Sequence, residues 1–94
     1  MKKSFACSII CPGGIVGGWI SIDEKSITYK TNKLTVGEKY RNLVLPLIGI
    51  RELSWNWIIL PIATLRLKNG EKYKFIIFNV KSFTKAFAEA IDSL

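Results

Sequence analysis

The chain has no histidine, only two cysteines, and seven acidic side chains against fourteen basic ones. Without histidine, the usual general base and the commonest metal ligand at neutral pH are both absent. Two thiols alone are too few to hold a metal ion. The glycines at positions 13, 14, 17 and 18 are not followed by the Gly-Lys-Ser/Thr sequence of a phosphate-binding loop. We therefore expect a protein that is not an enzyme and that carries no metal and no cofactor.

Long hydrophobic runs are also lacking. Charged and polar residues between positions 51 and 56 interrupt the apolar middle of the chain, so no segment reaches the roughly 18–20 apolar residues of a membrane-spanning helix. The apolar stretch at 5–11 is barely seven residues long and Pro12-Gly13-Gly14 is a poor cleavage site, which together argue against a secretion signal. Cys7 and Cys11 fall on one predicted strand, where a disulfide does not close easily, and they suit a reducing compartment. We expect a cytoplasmic domain, with peripheral contact to a membrane left open.

The chain is rich in apolar and basic side chains. An apolar content of 49% over 94 residues is enough for one domain, residues 1–94, with a single core. The formal net charge of +7 favours anionic partners.

The end of the chain predicts a β-hairpin followed by a helix. A three-residue turn, Lys68-Asn69-Gly70, pairs Leu65 with Tyr73 and Ala63 with Phe75, which puts apolar side chains on one face. A two-residue turn would mix leucines with lysines on that face. The three-residue turn requires its glycine to adopt a positive φ.

After the hairpin, the apolar spacing changes to the helical period. The predicted stripe consists of Phe83, Ala86, Phe87, Ala90, Ile91 and Leu94. Ser82 is the predicted N-cap, and the opposite face carries Lys85, Glu89 and Asp92. This pattern indicates a helix that packs on the core.

Five further strands are predicted before the hairpin. Their ranges are 5–11, 19–23, 26–31, 43–47 and 52–57. Pro46 cannot donate to a strand ladder, which places the fourth strand at a sheet edge or a bulge. The polar segment 32–40 is predicted to be the longest loop.

The second and third strands are predicted to pair through a turn that an aspartate starts. That pairing sets Ile22 opposite Ile27 and Ile20 opposite Tyr29. Trp19 is assigned to the core.

Seven antiparallel strands and a C-terminal amphipathic helix occur in this order in pleckstrin-homology-like domains. The chain resembles the GRAM and bacterial branch of that superfamily in three segments: Gly18-Trp19-Ile20-Ser21-Ile22 with Ser26-Ile27-Thr28-Tyr29, Leu43-Val44-Leu45-Pro46-Leu47 with Ile50 and Leu53, and Leu65-x-Leu67-Lys68-Asn69-Gly70 with Tyr73-x-Phe75. The resemblance implies a mainly β fold, a barrel-like sandwich of two crossing sheets whose open end is plugged by the helix.

The resemblance also implies that the loops after the first, third and sixth strands share one rim, which receives the headgroup in lipid-binding relatives. In this chain the basic rim would consist of Lys30, Lys33, Lys39, Arg41, Lys68 and Lys72. The first loop, 12–17, has no lysine or arginine, unlike that of phosphoinositide-binding relatives, and this argues against specific inositol-phosphate recognition. The alternative interpretation is a set of solvated charges.

A second candidate surface is apolar. The five consecutive apolar residues at 57–61 cannot all face one core, so some must face outward. The predicted ridge consists of Trp55, Trp57, Ile58, Ile59, Leu60 and Pro61. It would contact a protein partner, a second copy of the chain or a membrane interface, where tryptophan is favoured. The alternative is a strand that is buried on both faces.

These surfaces lead to two functional hypotheses. The first is a non-catalytic adaptor that binds a protein partner or an anionic membrane surface, with affinity from the ridge and orientation from the basic rim. The second is a small nucleic-acid-binding domain that stacks bases on Tyr40, Tyr73 or Trp55. Homodimerisation through residues 57–61 is compatible with either.

Overall fold

The computed structural model describes residues 2–32, 38–57 and 59–94. These residues form β1 (Lys3–Cys11), β2 (Gly14–Ile22), β3 (Ser26–Lys30), α1 (Glu38–Arg41), β4 (Asn42–Pro46), a 3₁₀ turn (Leu47–Gly49), β5 (Ile50–Trp57), β6 (Pro61–Leu67), β7 (Lys72–Ile76) and α2 (Val80–Asp92). The strands form one antiparallel sheet in the order β4-β3-β2-β1-β7-β6-β5. The predicted mainly β fold with a C-terminal helix is confirmed, and β1 joins the two halves by pairing with both β2 and β7.

The predicted strand registers are confirmed in both hairpins. In the β6–β7 hairpin, Leu65 lies opposite Tyr73 and Ala63 opposite Phe75. Gly70 closes the turn with a φ of 95°. Alternation of apolar side chains fixes this register because a shift of one residue would turn the core residues to solvent.

The β2–β3 hairpin follows the same rule, with Ile20 opposite Tyr29 and Ile22 opposite Ile27. The Asp23 carboxylate accepts hydrogen bonds from the backbone N–H groups of the next turn residues, Lys25 and Ser26, at 2.8 and 2.9 Å. These two bonds hold the pKa of Asp23 below its usual value, so the carboxylate stays ionised in the turn.

Gly70→Ala is expected to lower the free energy of unfolding by about 1–2 kcal/mol, because a side chain with a Cβ is strained at positive φ. Urea denaturation measures the change. Gly49→Ala is the matched control, since its Cβ would enter open space and its φ is not positive. Equal stability of the two variants would contradict the turn conformation.

Helix α2 packs its apolar stripe on the core. Phe83 is fully buried, and its ring meets those of Phe5 and Trp55 edge to face at centroid distances of 5.5 and 6.2 Å. Ala86 and Ala90 are also buried in the same core cluster. The predicted contact between the helix and the sheet is therefore present.

Two details of the predicted helix are wrong. The helix begins at Val80, and its N-cap is Asn79, not Ser82, because the carbonyl of Asn79 accepts the first helical bond from the Phe83 N–H at 2.9 Å. Leu94 is exposed, since the helix ends at Asp92 and the last residue no longer follows the stripe.

Strand β2 is longer than the predicted strand at 19–23. The expected first loop, 12–17, is reduced to a tight Pro12-Gly13 turn, because Cys11 already lies opposite Gly14. Gly14 makes this possible with a φ of 131°. Side chains alternate along β2, so Trp19 points away from the core that contains Ile20. Trp19 is 59% exposed, and its assignment to the core is wrong.

The segment predicted as one long loop, 32–40, contains the start of a helical turn. Helix α1 covers Glu38–Arg41, and the Thr31 N–H donates to the Arg41 carbonyl at 3.1 Å. The rest of the predicted loop, 33–37, lies outside the described residues. In the described part of the chain, no helix is long and apolar enough to cross a bilayer.

Candidate functional site

Several exposed apolar side chains lie where the β5–β6 turn meets the β7–α2 connection. A backbone hydrogen bond of 3.2 Å from the Ile77 N–H to the Pro61 carbonyl holds these two segments together. The exposed fractions are 63% for Trp57, 87% for Ile59, 36% for Leu60 and 68% for Phe78. These four residues are called the turn patch below. Grouped large apolar side chains at a surface are typical of interaction sites, whereas scattered ones are not.

The turn patch overlaps only part of the predicted ridge. Trp55 is half-buried against Phe83, and its indole Nε1 is buried without a hydrogen-bond partner among the described residues. Pro61 is buried, and Ile58 lies outside the described residues. Trp57, Ile59 and Leu60 are therefore the ridge residues that the structure exposes together.

The ridge that was predicted from the sequence does not include Phe78. Phe78 ends a run of four apolar residues, 75–78, of which Phe75 and Ile77 are fully buried. The argument that identified the ridge, that consecutive apolar residues cannot all face one core, applies equally to this run. The hydrogen bond from Ile77 to Pro61, which joins the segment of Phe78 to the β5–β6 turn, depends on the tertiary fold and is not visible in the sequence.

The basic rim is partly neutralised by Glu71. The Glu71 carboxylate accepts hydrogen bonds from Asn69 Nδ2 at 2.9 Å, Tyr73 Oη at 3.1 Å and Lys39 Nζ at 3.3 Å. The Asn69 bond, followed by those from Lys39 and Tyr73, lowers the pKa of Glu71, so it stays ionised. The Lys39 ammonium also lies 5.6 Å from the Tyr40 ring centroid and 5.4 Å from that of Tyr73. Lys39 is thus already engaged within the protein.

The other described rim residues lie on three segments: the β6–β7 hairpin, α1 and the end of β3. Lys68 lies in the β6–β7 turn and Lys72 begins β7, and both are exposed. Arg41 ends α1, while Lys30 ends β3 opposite Asn42. Lys33 lies outside the described residues. The structure brings Lys39 to the β6–β7 turn, the segment that also carries Lys68.

Lys68 and Lys72 of the basic rim lie at the end of β6 opposite to the turn patch. This strand runs from Pro61, beside the turn patch, to Leu67, beside the β6–β7 turn. Seven residues of strand span about 20 Å. Lys68 and Lys72 therefore lie about 20 Å from the turn patch, and joint use of the ridge and the rim by one partner stays a prediction.

Helix α2 has a polarised distribution of charge along its axis. Lys81 and Lys85 are exposed in the half that follows the turn patch, whereas Glu89 and Asp92 lie in the other half. Asp23 and Glu24 line a hollow together with Glu89, and Lys3 lines the same hollow and offsets part of their charge. A helix of this length measures about 20 Å, so the acidic end is well separated from the turn patch.

The seven-stranded antiparallel sheet and the C-terminal helix that packs on it form a pleckstrin-homology-like fold. No protein-family model and no curated protein matches the sequence. Among solved structures, the crystal structure of the pleckstrin homology domain of ArhGAP27 is similar, with a TM-score of 0.64, 17% identity, and coverage of 97% of this chain and 99% of that chain. At this level of identity the similarity establishes the fold alone.

Proposed function

We propose that this protein is a non-catalytic binding module that docks through the turn patch. A protein partner and an anionic membrane surface both suit an exposed cluster of aromatic and aliphatic side chains. The observation that carries the proposal is the concentration of Trp57, Ile59 and Phe78, each more than half exposed, on two adjoining turns.

The charge distribution favours the anionic membrane surface. Lys81 and Lys85 would face the headgroups when the turn patch inserts, at about 1 kcal/mol each for a basic residue close to an anionic surface. The acidic end, with Glu89 and Asp92, would point away from the bilayer. Tryptophan suits the interfacial region because its indole combines a large apolar area with an N–H donor, and phenylalanine adds apolar area to the inserted face.

Nucleic-acid binding through Tyr73 or Trp55 is not supported by their positions. Tyr73 is buried and donates its hydroxyl hydrogen to Glu71, while Trp55 packs against Phe83. Neither ring can stack on a base without leaving its present contacts.

Co-sedimentation with vesicles of neutral and of anionic lipid tests the proposal. The wild-type protein is expected to bind anionic vesicles more tightly, and the Trp57→Ala/Phe78→Ala double variant is expected to lose at least about tenfold in partitioning, because it removes two large apolar side chains. Ile48→Ala is the matched control, since Ile48 is an exposed apolar residue in the 3₁₀ turn.

Charge variants distinguish docking in one orientation, with the turn patch towards the membrane, from non-specific attraction of a basic protein to anionic lipid. Lys81→Gln/Lys85→Gln is expected to weaken anionic-vesicle binding several-fold, whereas Glu89→Gln/Asp92→Asn should not weaken it. Equal binding by the wild type and by the turn-patch double variant would contradict docking through this surface. Absence of vesicle binding, combined with a copurified protein that the double variant loses, would assign the turn patch to a protein partner.

A further inference from the structure

Trp19 is an exposed aromatic ring with small side chains beside it on β1 and β2 and a lysine across from it on β3. The register places it opposite Ala6 on β1 and opposite Lys30 on β3. Its neighbours on the same face of β2 are Gly17 and Ser21, and Ser21 is hydrogen-bonded to Ser4 of β1 at 2.8 Å between hydroxyl oxygens. No large side chain of β1 lies next to the indole on this face of the sheet, so one face of the ring is left uncovered.

This arrangement forms an open groove of about 620 Å³ on the outer face of the sheet. Ala6 and Gly17 contribute to its lining without bulk, Trp19 rises beside them, and Lys30 and Asn32 add an ammonium and an amide. The volume is within the range that holds a small ligand. The groove therefore combines a flat apolar surface with a cation directly across the strand pair.

We propose that this groove binds one nucleotide of a single-stranded nucleic acid, with the base stacked on Trp19 and its phosphate paired with Lys30. Every base of a nucleic acid offers a flat ring that can stack on the indole. The phosphate of the same nucleotide supplies the anion that pairs with Lys30. The groove is separate from the turn patch, so this binding does not depend on the function proposed above.

Further basic side chains continue across the same face of the sheet. Lys74 of β7 lies opposite Ile10 of β1, and Lys72 precedes it by two residues on the same face. From the strand spacing and the rise per residue, Lys74 lies on the order of 15 Å from Trp19. Glu52, an acidic residue on this face, is paired with Arg66 at 3.2 Å. A single strand leaving the groove towards β7 would meet a positive surface.

Fluorescence anisotropy with a labelled 12-nucleotide oligouridylate tests this proposal. Trp19→Ala is expected to weaken binding at least about fivefold, the lower end of what one base stack contributes, while Trp19→Phe retains part of the affinity. Lys30→Gln is expected to reduce the slope of log K against log salt concentration by about 0.7, the share of one phosphate contact on a single strand. Trp57→Ala is the control, since it removes an equally exposed tryptophan from the turn patch.

Selective loss of oligouridylate binding in Trp19→Ala, with Trp57→Ala unchanged, supports the proposal. Lack of binding by the wild-type protein at low salt would overturn it, as would equal affinity of the wild type and Trp19→Ala. Because Trp19 is exposed, the variant should unfold at the wild-type urea concentration, which distinguishes lost stacking from lost structure. Vesicle binding through the turn patch is expected to survive in Trp19→Ala whichever result is obtained.

Discussion

Gly18→Ala is expected to lower the free energy of unfolding by about 3 kcal/mol, because the new methyl group has no room. A Cβ at this position would lie 2.4 Å from the backbone carbonyl oxygen of Lys30 and 2.7 Å from Tyr29 Oη. The phenol could move only by breaking its 2.8 Å hydrogen bond to the Val16 carbonyl. The carbonyl belongs to β3, which pairs with β2, so relief of the clash requires a shift of the strand itself. Urea denaturation of the purified variant measures the loss.

Gly17→Ala is the control for this prediction, since the two glycines are adjacent in the same strand. The nearest atom to a Cβ at Gly17 is Ser8 Oγ at 3.9 Å, an ordinary contact. Alanine is also less flexible than glycine in the unfolded chain, so this variant should be as stable as the wild type or slightly more stable. Similar losses in both variants would show that β2 does not have the register described.

Phe83→Ala is expected to destabilise the domain by about 3–5 kcal/mol, the usual range for removal of a buried phenylalanine. Phe83 is the helix residue that contacts aromatic rings from both halves of the sheet, Phe5 on β1 and Trp55 on β5. Its removal leaves a cavity between these rings and also loosens the attachment of α2. For a domain of this size, whose total stability is expected in the range of about 5–15 kcal/mol, such a loss approaches unfolding.

Phe78→Ala is the matched control for Phe83→Ala, because it makes the same substitution five positions earlier in an exposed side chain. The urea midpoint of this variant should remain close to that of the wild type, since surface substitutions usually change stability by no more than about 0.5 kcal/mol. A large loss in Phe78→Ala would mean that Phe78 is packed in solution, and it would remove this residue from the turn patch.

The parts of the fold that could be predicted from the sequence depend on local alternation and turn chemistry. The β6–β7 register followed from the apolar face of Leu65 and Phe75 together with the glycine requirement at Gly70. The β2–β3 register followed in the same way. That register already placed Trp19 on the face opposite Ile20, so its exposure could have been inferred from alternation instead of from the usual burial of tryptophan.

The candidate site was harder to predict because it depends on which segments meet in space. Trp57, Ile59 and Leu60 could be identified from the apolar run that contains them, but the neighbouring position of Phe78 results from the hydrogen bond between Ile77 and Pro61. Likewise, the engagement of Lys39 by Glu71 joins residues 32 positions apart in sequence. Such non-local contacts leave no periodic signal in a single chain.

The most direct test of docking through the turn patch is an NMR titration of the isotopically labelled protein with nanodiscs of anionic lipid. We expect selective broadening of the Trp57 indole signal and of the backbone signals of Ile59 and Phe78, with Lys68 and Lys72 unaffected. That result would place the membrane at the end of β6 where the turn patch lies. Broadening at Lys68 and Lys72, with the turn patch unchanged, would contradict the proposal and assign binding to the basic rim.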